Sequence, residues 1–277
     1  MEEDIIETSK KRWPKRLFIL ITLFSLITIY IHKIEPSIIS TKEYAIKNSN
    51  IPSSFNGFKI AHFSDIHFGR TTNEKEVEKV VNKINEMKPD IVIFTGDLLD
   101  TYITLSEENK EFLANKLSEI SSVLGKYAIL GDMDKKQEET FTKIMNKADF
   151  MIIKENIPIY YKGDVPIYLQ GYSTDQEIDT STLKEKEYQI VISHEPAIFN
   201  KVYEKANLIL AGHSLGGLIR LPFSNGIFKF DNTEGYIYGK YEKENSVLFV
   251  SNGIGTENLS VRLFNIPTIN LYRLYNN

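Results

Sequence analysis

Apolar positions along this chain follow two alternating rhythms. From Glu74 to Met87 the apolar residues Val77, Val80, Val81, Ile84 and Met87 recur at helical spacing, which predicts an amphipathic helix with one buried face. Asn73 stands where its N-cap belongs. Glu108–Ile120 repeats the pattern with Phe112, Leu113, Leu117 and Ile120. Between and after these helices come short apolar runs of strand length: Phe58–Phe63, Ile91–Phe94, Tyr127–Leu130, Gln189–Ser193 and Ala206–Ala211. Ile157–Tyr161 and Pro166–Gln170 flank a Lys-Gly-Asp turn, a hairpin signal. From Ile227 onward the expected elements are strands, at 228–230, 236–241, 247–250 and 269–274. Strands alternating with helices and then a run of strands predict an α/β fold with helices covering sheet faces.

A different pattern opens the chain. Leu17–Ile31 is an unbroken run of 15 residues with no charge, slightly short of the roughly 17–25 that a spanning helix needs. Trp13 and Pro14 before it and His32–Ile34 after it bring it close to that range, with Trp13 and Tyr30 placed near the interfaces. Lys10, Lys11, Arg12, Lys15 and Arg16 precede the run and only Lys33 follows closely. That asymmetry predicts a single-pass cell-membrane anchor, N-terminus cytoplasmic and main domain extracytoplasmic. A cleaved signal peptide is the rival, and the segment after the run lacks a small-x-small cleavage pattern. The expected organisation is a basic segment and anchor at 1–34, a connector at 35–56 and one domain at 57–277.

Composition narrows the chemistry. There are no cysteines, which removes disulfides, thiolate metal sites and cysteine nucleophiles. A formal net charge of −4 argues against a nucleic-acid surface. A metal site must therefore draw on carboxylates, amides and the five histidines. Five strand ends finish in such groups: Asp65 and His67, Asp97, Asp132, His194 and His213. Ligands in α/β folds gather beyond the carboxyl ends of strands, and an oxygen and imidazole donor set suits Mn, Fe or Zn. A single Gly-Asp or a single His is ordinarily structural; it is the ordered set that points to a site. His62 and His32 are read as structural or interfacial, and Asp100 and Asp134 as loop and cap residues.

In order, these blocks read SDIH (64–67), GDLLD (96–100), GDMD (131–134), SHEP (193–196) and GHSLGGLIRLP (212–222). The series resembles the calcineurin-like metallophosphoesterases, whose pattern is Asp-x-His, Gly-Asp, Gly-Asn-His-Asp/Glu, a strand-end His and Gly-His-x-His. It looks most like their bacterial membrane-associated branch and covers residues 58 to 275. The resemblance implies a four-layer α/β/β/α sandwich holding one or two divalent ions. Asp97 would bridge them, Asp65 and His67 would bind the first, and Asp132, His194 and His213 would complete the second. The nucleophile would be a metal-bound hydroxide attacking phosphorus in line. Arg220 is a candidate for the substrate phosphate, since a guanidinium matches phosphate geometry; a structural ion pair is the equal alternative.

Three positions depart from the family pattern. Asp132 stands for an Asn and keeps an oxygen ligand. Met133 stands for the His at the family's acid position and cannot donate a proton, a loss of typically 10²–10⁴-fold. Leu215 stands for the last His of the first metal site. One ion is therefore expected to bind well and the other weakly. Two functional readings follow: a hydrolase of a phosphate ester of the cell envelope, lipid or wall polymer, or a membrane-tethered binding or regulatory protein of reduced activity on the same fold.

Overall fold

The computed structural model describes residues 15–221, 226–257 and 259–277. The basic cluster before Lys15, with Trp13 and Pro14, lies outside the described residues. Twelve strands among the described residues form two six-stranded sheets. The first takes β1 (Ser40–Lys47), β2 (Lys59–Phe63), β3 (Ile91–Phe94), β4 (Gly125–Ala128), β5 (Phe150–Ile152) and β12 (Thr268–Tyr275), in the order β1-β12-β2-β3-β4-β5. The second takes β6 (Ile157–Ile159), β7 (Ile167–Tyr172), β8 (Gln189–Ser193), β9 (Leu208–Ala211), β10 (Gly239–Lys243) and β11 (Ser246–Val250), in the order β10-β11-β9-β8-β7-β6.

Alternation along each central strand explains the layering. In β2 and β3, Ala61, Phe63, Val92 and Phe94 face the helices α2 (Glu74–Met87), α3 (Glu107–Ser118) and α5 (Glu138–Lys147), the last preceded by the single turn α4 (Asp132–Lys135). Ile60, Ile91 and Ile93 face the other sheet, where they meet Ile190, Ile192, Leu208 and Leu210. Val191, Ile209 and Ala211 point outward to a third cluster around α6 (Phe199–Val202). A strand whose two faces are both buried reads as continuous apolar sequence, which is why these runs were visible. The fourth layer is thin, since α6 has only four residues.

The helix α2 is built as its sequence predicts. Asn73 Oδ1 accepts from Lys75 N at 2.9 Å, and the Glu76 carboxylate accepts from Asn73 N at 3.1 Å. That reciprocal pair satisfies donors left open at a helix start. The hairpin is present as β6 and β7, antiparallel with Ile157 opposite Leu169.

The structure departs from expectation in the flanks. The segment expected as a connector, 35–56, carries β1, paired in parallel along its whole length with β12. Only Ile46 of β1 is fully buried, so a polar edge strand left almost no apolar signature. The expected strand at 228–230 is absent, and of 236–241 only the part from Gly239 is strand. Aromatic enrichment there reflects loop packing, such as the Tyr236 ring against Phe199 at 5.5 Å. Ahead of the sheets, α1 (Lys15–Ile29) continues through a π-helical turn, Tyr30–Ile34, and a 3-10 turn, Glu35–Ser37. It is the one helix among the described residues long and apolar enough to cross a membrane.

Candidate metal centre

The carboxyl ends of β2, β3, β4, β8 and β9 meet at one place, and all six candidate ligands gather there. His194 Nε2 lies 2.9 Å from Asp132 Oδ1 and 3.3 Å from Asp97 Oδ2. His213 Nδ1 lies 3.4 Å from Asp132 Oδ1, and His67 Nε2 lies 3.8 Å from Asp97 Oδ2. Ligand atoms fall into two groups whose members are within 4.8 Å of each other: Asp132, His194 and His213, and Asp65, Asp97 and His194. His194 thus stands in both groups, where the sequence reading placed it with the second ion alone.

Backbone conformation at these positions is unusual. Asp65, His67, Asp97 and His213 have φ of 53°, 50°, 60° and 68°. The left-handed region is sparsely used by residues with a side chain, and each such residue costs on the order of 1–3 kcal/mol unless its surroundings hold it. The surroundings do hold it. Ile254 N and Gly255 N donate to Asp65 O at 3.1 and 2.7 Å. The Asp134 carboxylate accepts from Asp97 N, Leu99 N and Gly131 N at 2.7, 3.0 and 3.2 Å. It ties the loop after β3 to the loop after β4 and so positions Asp97 while standing outside both ligand groups. The expected cap role of Asp134 is met at Gly131 N; its bonds across to Asp97 N and Leu99 N had no signal in the sequence.

Hydrogen-bond partners fix the protonation of two imidazoles. His194 Nδ1 lies 2.7 Å from Thr95 O, and His213 Nε2 lies 2.8 Å from Asp231 O. A carbonyl only accepts, so those nitrogens carry the protons. The opposite nitrogens, His194 Nε2 and His213 Nδ1, face each other at 3.2 Å. Two ring nitrogens and the Asp132 carboxylate converging on one point call for a positive charge there, held either as protons on the imidazoles or as a metal ion that displaces them. Fixing the free nitrogen of a ligand histidine through a carbonyl is how metal sites orient their ligands. His67 gives a second indication. It is buried and neither ring nitrogen has a hydrogen-bond partner, which costs about 1–3 kcal/mol unless something coordinates it.

The electrostatics agree. Burial pushes the Asp65 and Asp97 carboxyls up to about 6 and the His67 imidazole down to about 3. Burial also works against a charged His194, yet Asp97 and Asp132 outweigh it and hold its pKa well above the usual imidazole value. Asp132 is the reverse: despite partial burial, hydrogen bonds from His194 and His213 keep its carboxyl well below the usual range. The residues present therefore fit a divalent cation, with three carboxylates and three imidazoles as donors.

The substituted positions have clear environments. Met133 is buried; its N donates to Asp97 Oδ1 at 3.0 Å, and its sulfur accepts from Thr101 Oγ1 at 3.3 Å. Leu215 is buried with φ 49°. A Cβ built on Gly253 would lie 2.8 Å from Leu215 Cδ2 and 3.0 Å from Asp65 Cβ, so a bare glycine lets an apolar side chain close against Asp65. Arg220 donates from its guanidinium to Asn265 Oδ1 at 2.7 Å and stacks 4.1 Å from the Tyr238 ring. His62 sits between the sheets, with Nε2 2.9 Å from Thr95 Oγ1 and Nδ1 3.3 Å from the Tyr272 hydroxyl.

Two sheets meeting at a cluster of strand-end aspartates and histidines define a metallophosphoesterase-type centre. The family model described as calcineurin-like phosphoesterase matches residues 58–217, and the chain belongs to that family. It is similar to YkuE, an uncharacterized metallophosphoesterase of Bacillus subtilis, at 30% identity over 255 residues, 88% of each chain. A transmembrane protein with metallophosphoesterase domain from Bos taurus is 22% identical over 282 residues, 93% of this chain and 61% of that one. The UDP-2,3-diacylglucosamine pyrophosphatase LpxG of Chlamydia trachomatis is 30% identical over 109 residues, 38% of this chain and 31% of that one.

Proposed function

We propose that this protein is a membrane-anchored, metal-dependent phosphoesterase that hydrolyses a phosphodiester of the cell envelope. The observation that carries the metal-dependent part is the pair of imidazole nitrogens 3.2 Å apart, aimed with Asp132 at one point. Asp97, Asp132, His194 and His213 would hold the tighter ion, and Asp65, His67 and Asp97 the weaker one. Bound divalent ions supply Lewis acidity to phosphoryl oxygens and lower the pKa of a coordinated water. The chain's own contribution is positional. Thr95 O and Asp231 O orient two imidazoles, Asp134 fixes the Asp97 loop, and Asp132 is the most accessible of the candidate ligands.

Position 133 offers no proton donor, so substrates with good leaving groups fit this centre best. A lipid or wall-polymer substrate is supported by the anchor helix, and a lipid one also by the similarity to LpxG, a UDP-2,3-diacylglucosamine pyrophosphatase. An outward-facing domain is supported by the charge asymmetry around α1.

Buried Leu215 favours a second reading, a tethered binding or regulatory protein. The two readings separate on one comparison with bis(p-nitrophenyl) phosphate and Mn²⁺. If the chain is an enzyme, Asp97→Asn and His194→Ala each lower the rate at least 100-fold. A background rate unchanged by both substitutions would leave the binding protein.

A further inference from the structure

The anchor helix is short for its task. Leu17–Ile31, 15 residues, covers about 22 Å at 1.5 Å per residue, against a hydrocarbon core of about 30 Å. The continuous helical segment runs on to Ser37, 23 residues in all, and reaches a spanning length only with the residues after Ile31. That extra stretch is where the domain is fastened. Arg262 N donates to Ile31 O at 3.0 Å, and His32 Nδ1 lies 2.8 Å from Ser260 O. Asn265 N donates to the fully buried Glu35 carboxylate at 2.5 Å. Whatever depth residues 31–35 take in the bilayer, residues 260–265 share it.

Strand register places the metal centre on the same edge. Ser40 pairs with Thr268 and Asn270 pairs with His62. The start of β1, directly after the anchor, therefore lies at the carboxyl end of β2, from which Asp65 and His67 project. The surface on that edge is apolar. Phe264 is 64% exposed, Leu259 51% and Ile227 53%, with Ile34 and Ile38 also exposed beside them in the chain leaving the anchor. Ile227 belongs to this rim because Ile227 N donates to Ile219 O at 2.8 Å and Ile219 bridges to Leu263. The rim reaches the centre by two short routes. Asn265 Nδ2 donates to Leu215 O at 2.7 Å, and four residues beyond Ile227 the Asp231 carbonyl accepts from His213.

We infer that the 259–266 loop and the Ile227 turn seat in the interfacial layer of the bilayer that α1 crosses, so that the lipid surface is a partner of the domain and the metal centre opens beside it. Continuity with the anchor is the argument for lipid over other occupants, since the rim is hydrogen-bonded to the very residues needed to complete the span. Lys33 at the same level suits the headgroup layer, where a long basic side chain keeps its charge in water. This inference needs no catalysis and stands apart from the hydrolase reading.

The absence of cysteine makes the test direct. Single substitutions Phe264→Cys, Leu259→Cys and Ile227→Cys, with Val123→Cys as control, carry an environment-sensitive fluorophore on the full chain in phosphatidylcholine–phosphatidylglycerol vesicles. Val123 is 68% exposed and lies just before β4, at the amino end of the sheet. Shallow nitroxide lipids are expected to quench the three rim positions at least threefold more than position 123. Quenching at all three equal to the control overturns the inference. So does rim shielding without lipid quenching but with energy transfer between copies, which would assign the rim to a second copy of the chain. Each rim residue is exposed and substituted separately, so misfolding of one variant leaves two to decide.

Discussion

Gly131 offers the sharpest handle on the centre. Its backbone is ordinary, φ −88° and ψ −179°, so Gly131→Ala brings no conformational penalty and would by itself stabilise by about 0.4–1 kcal/mol through the unfolded chain. Its surroundings are not ordinary. An added Cβ would lie 2.1 Å from Asp97 Oδ1 and 2.6 Å from Asp97 N. Real contacts of this kind do not fall below 3.0 Å, so the Asp97 carboxylate must retreat by about 0.9 Å. Forcing a methyl into a packed site costs typically 1–3 kcal/mol, which leaves a modest net destabilisation in chelator. The greater effect falls on ligand geometry, because metal constellations tolerate displacements of only about 0.5 Å. The retreat also takes Asp97 Oδ1 from its bond with Met133 N at 3.0 Å. The expected outcome is a Mn²⁺ affinity at least 100-fold weaker, about 2.7 kcal/mol at 1.36 kcal/mol per tenfold. Calorimetric titration would measure it, beside denaturant unfolding in EDTA. An affinity within threefold of the parent would refute both the bridging place of Asp97 and the reasoning from the clash.

Three further outcomes are expected. Leu215→His places an imidazole beside Asp65 on a backbone already held at φ 49°; the count of tightly held ions should rise from one to two per chain by elemental analysis, and an unchanged count would sink the unequal-site reading. Metal titration at pH 7 in two buffers of different ionisation enthalpy should show proton release, since ligands must deprotonate to bind and His194 is held charged by its carboxylate neighbours; identical heats in both buffers would contradict this. His62, whose pKa burial pushes down to about 3, stays neutral in the folded protein while its unfolded counterpart gains a proton below about 6.5. The unfolded state then binds more protons, so stability falls with pH below about 6.5 by up to about 1.4 kcal/mol per unit. His62→Gln should remove that slope from unfolding curves in EDTA between pH 6.5 and 4.5, and parallel curves for both proteins would refute it.

What the sequence showed depended on how strongly each element was buried. β3, with all four residues buried, and α2, with one apolar stripe and a capping box, were legible because burial and capping leave a pattern. The cluster of acidic and imidazole side chains was legible because Asp65, Asp97, His194 and His213 each follow a strand end. β1 escaped because seven of its eight positions keep some exposure, so no alternation marked it. Arg262, among the largest fully buried side chains, gave no sign of its burial in an ordinary Val-Arg-Leu run. Its guanidinium donates to the carbonyls of Asn252, Gly255 and Asn265, groups that come together only once the loop has folded. The convergence of His194 Nε2 and His213 Nδ1 was invisible for the same reason, since it depends on the carbonyls of Thr95 and Asp231 that hold the two rings.

The insertion of β12 between β1 and β2 has a consequence for synthesis. β1 follows the anchor directly, yet its partner residues lie 228 positions later, Ser40 against Thr268. At about 5–20 residues per second, β1 waits roughly 11 to 46 seconds for β12 to emerge. During that interval β1 and β2 each present an unpaired edge, the kind that invites wrong partners. The second sheet, complete by Val250, can already hold His194 and His213 while the first is still open. A chain stopped before Thr268 would keep its apolar helix and all six candidate metal ligands but would leave the anchor's own strand with nothing to join. Residues 268–275, made more than two hundred positions after β1, are therefore the ones that fasten that early strand to the body of the protein.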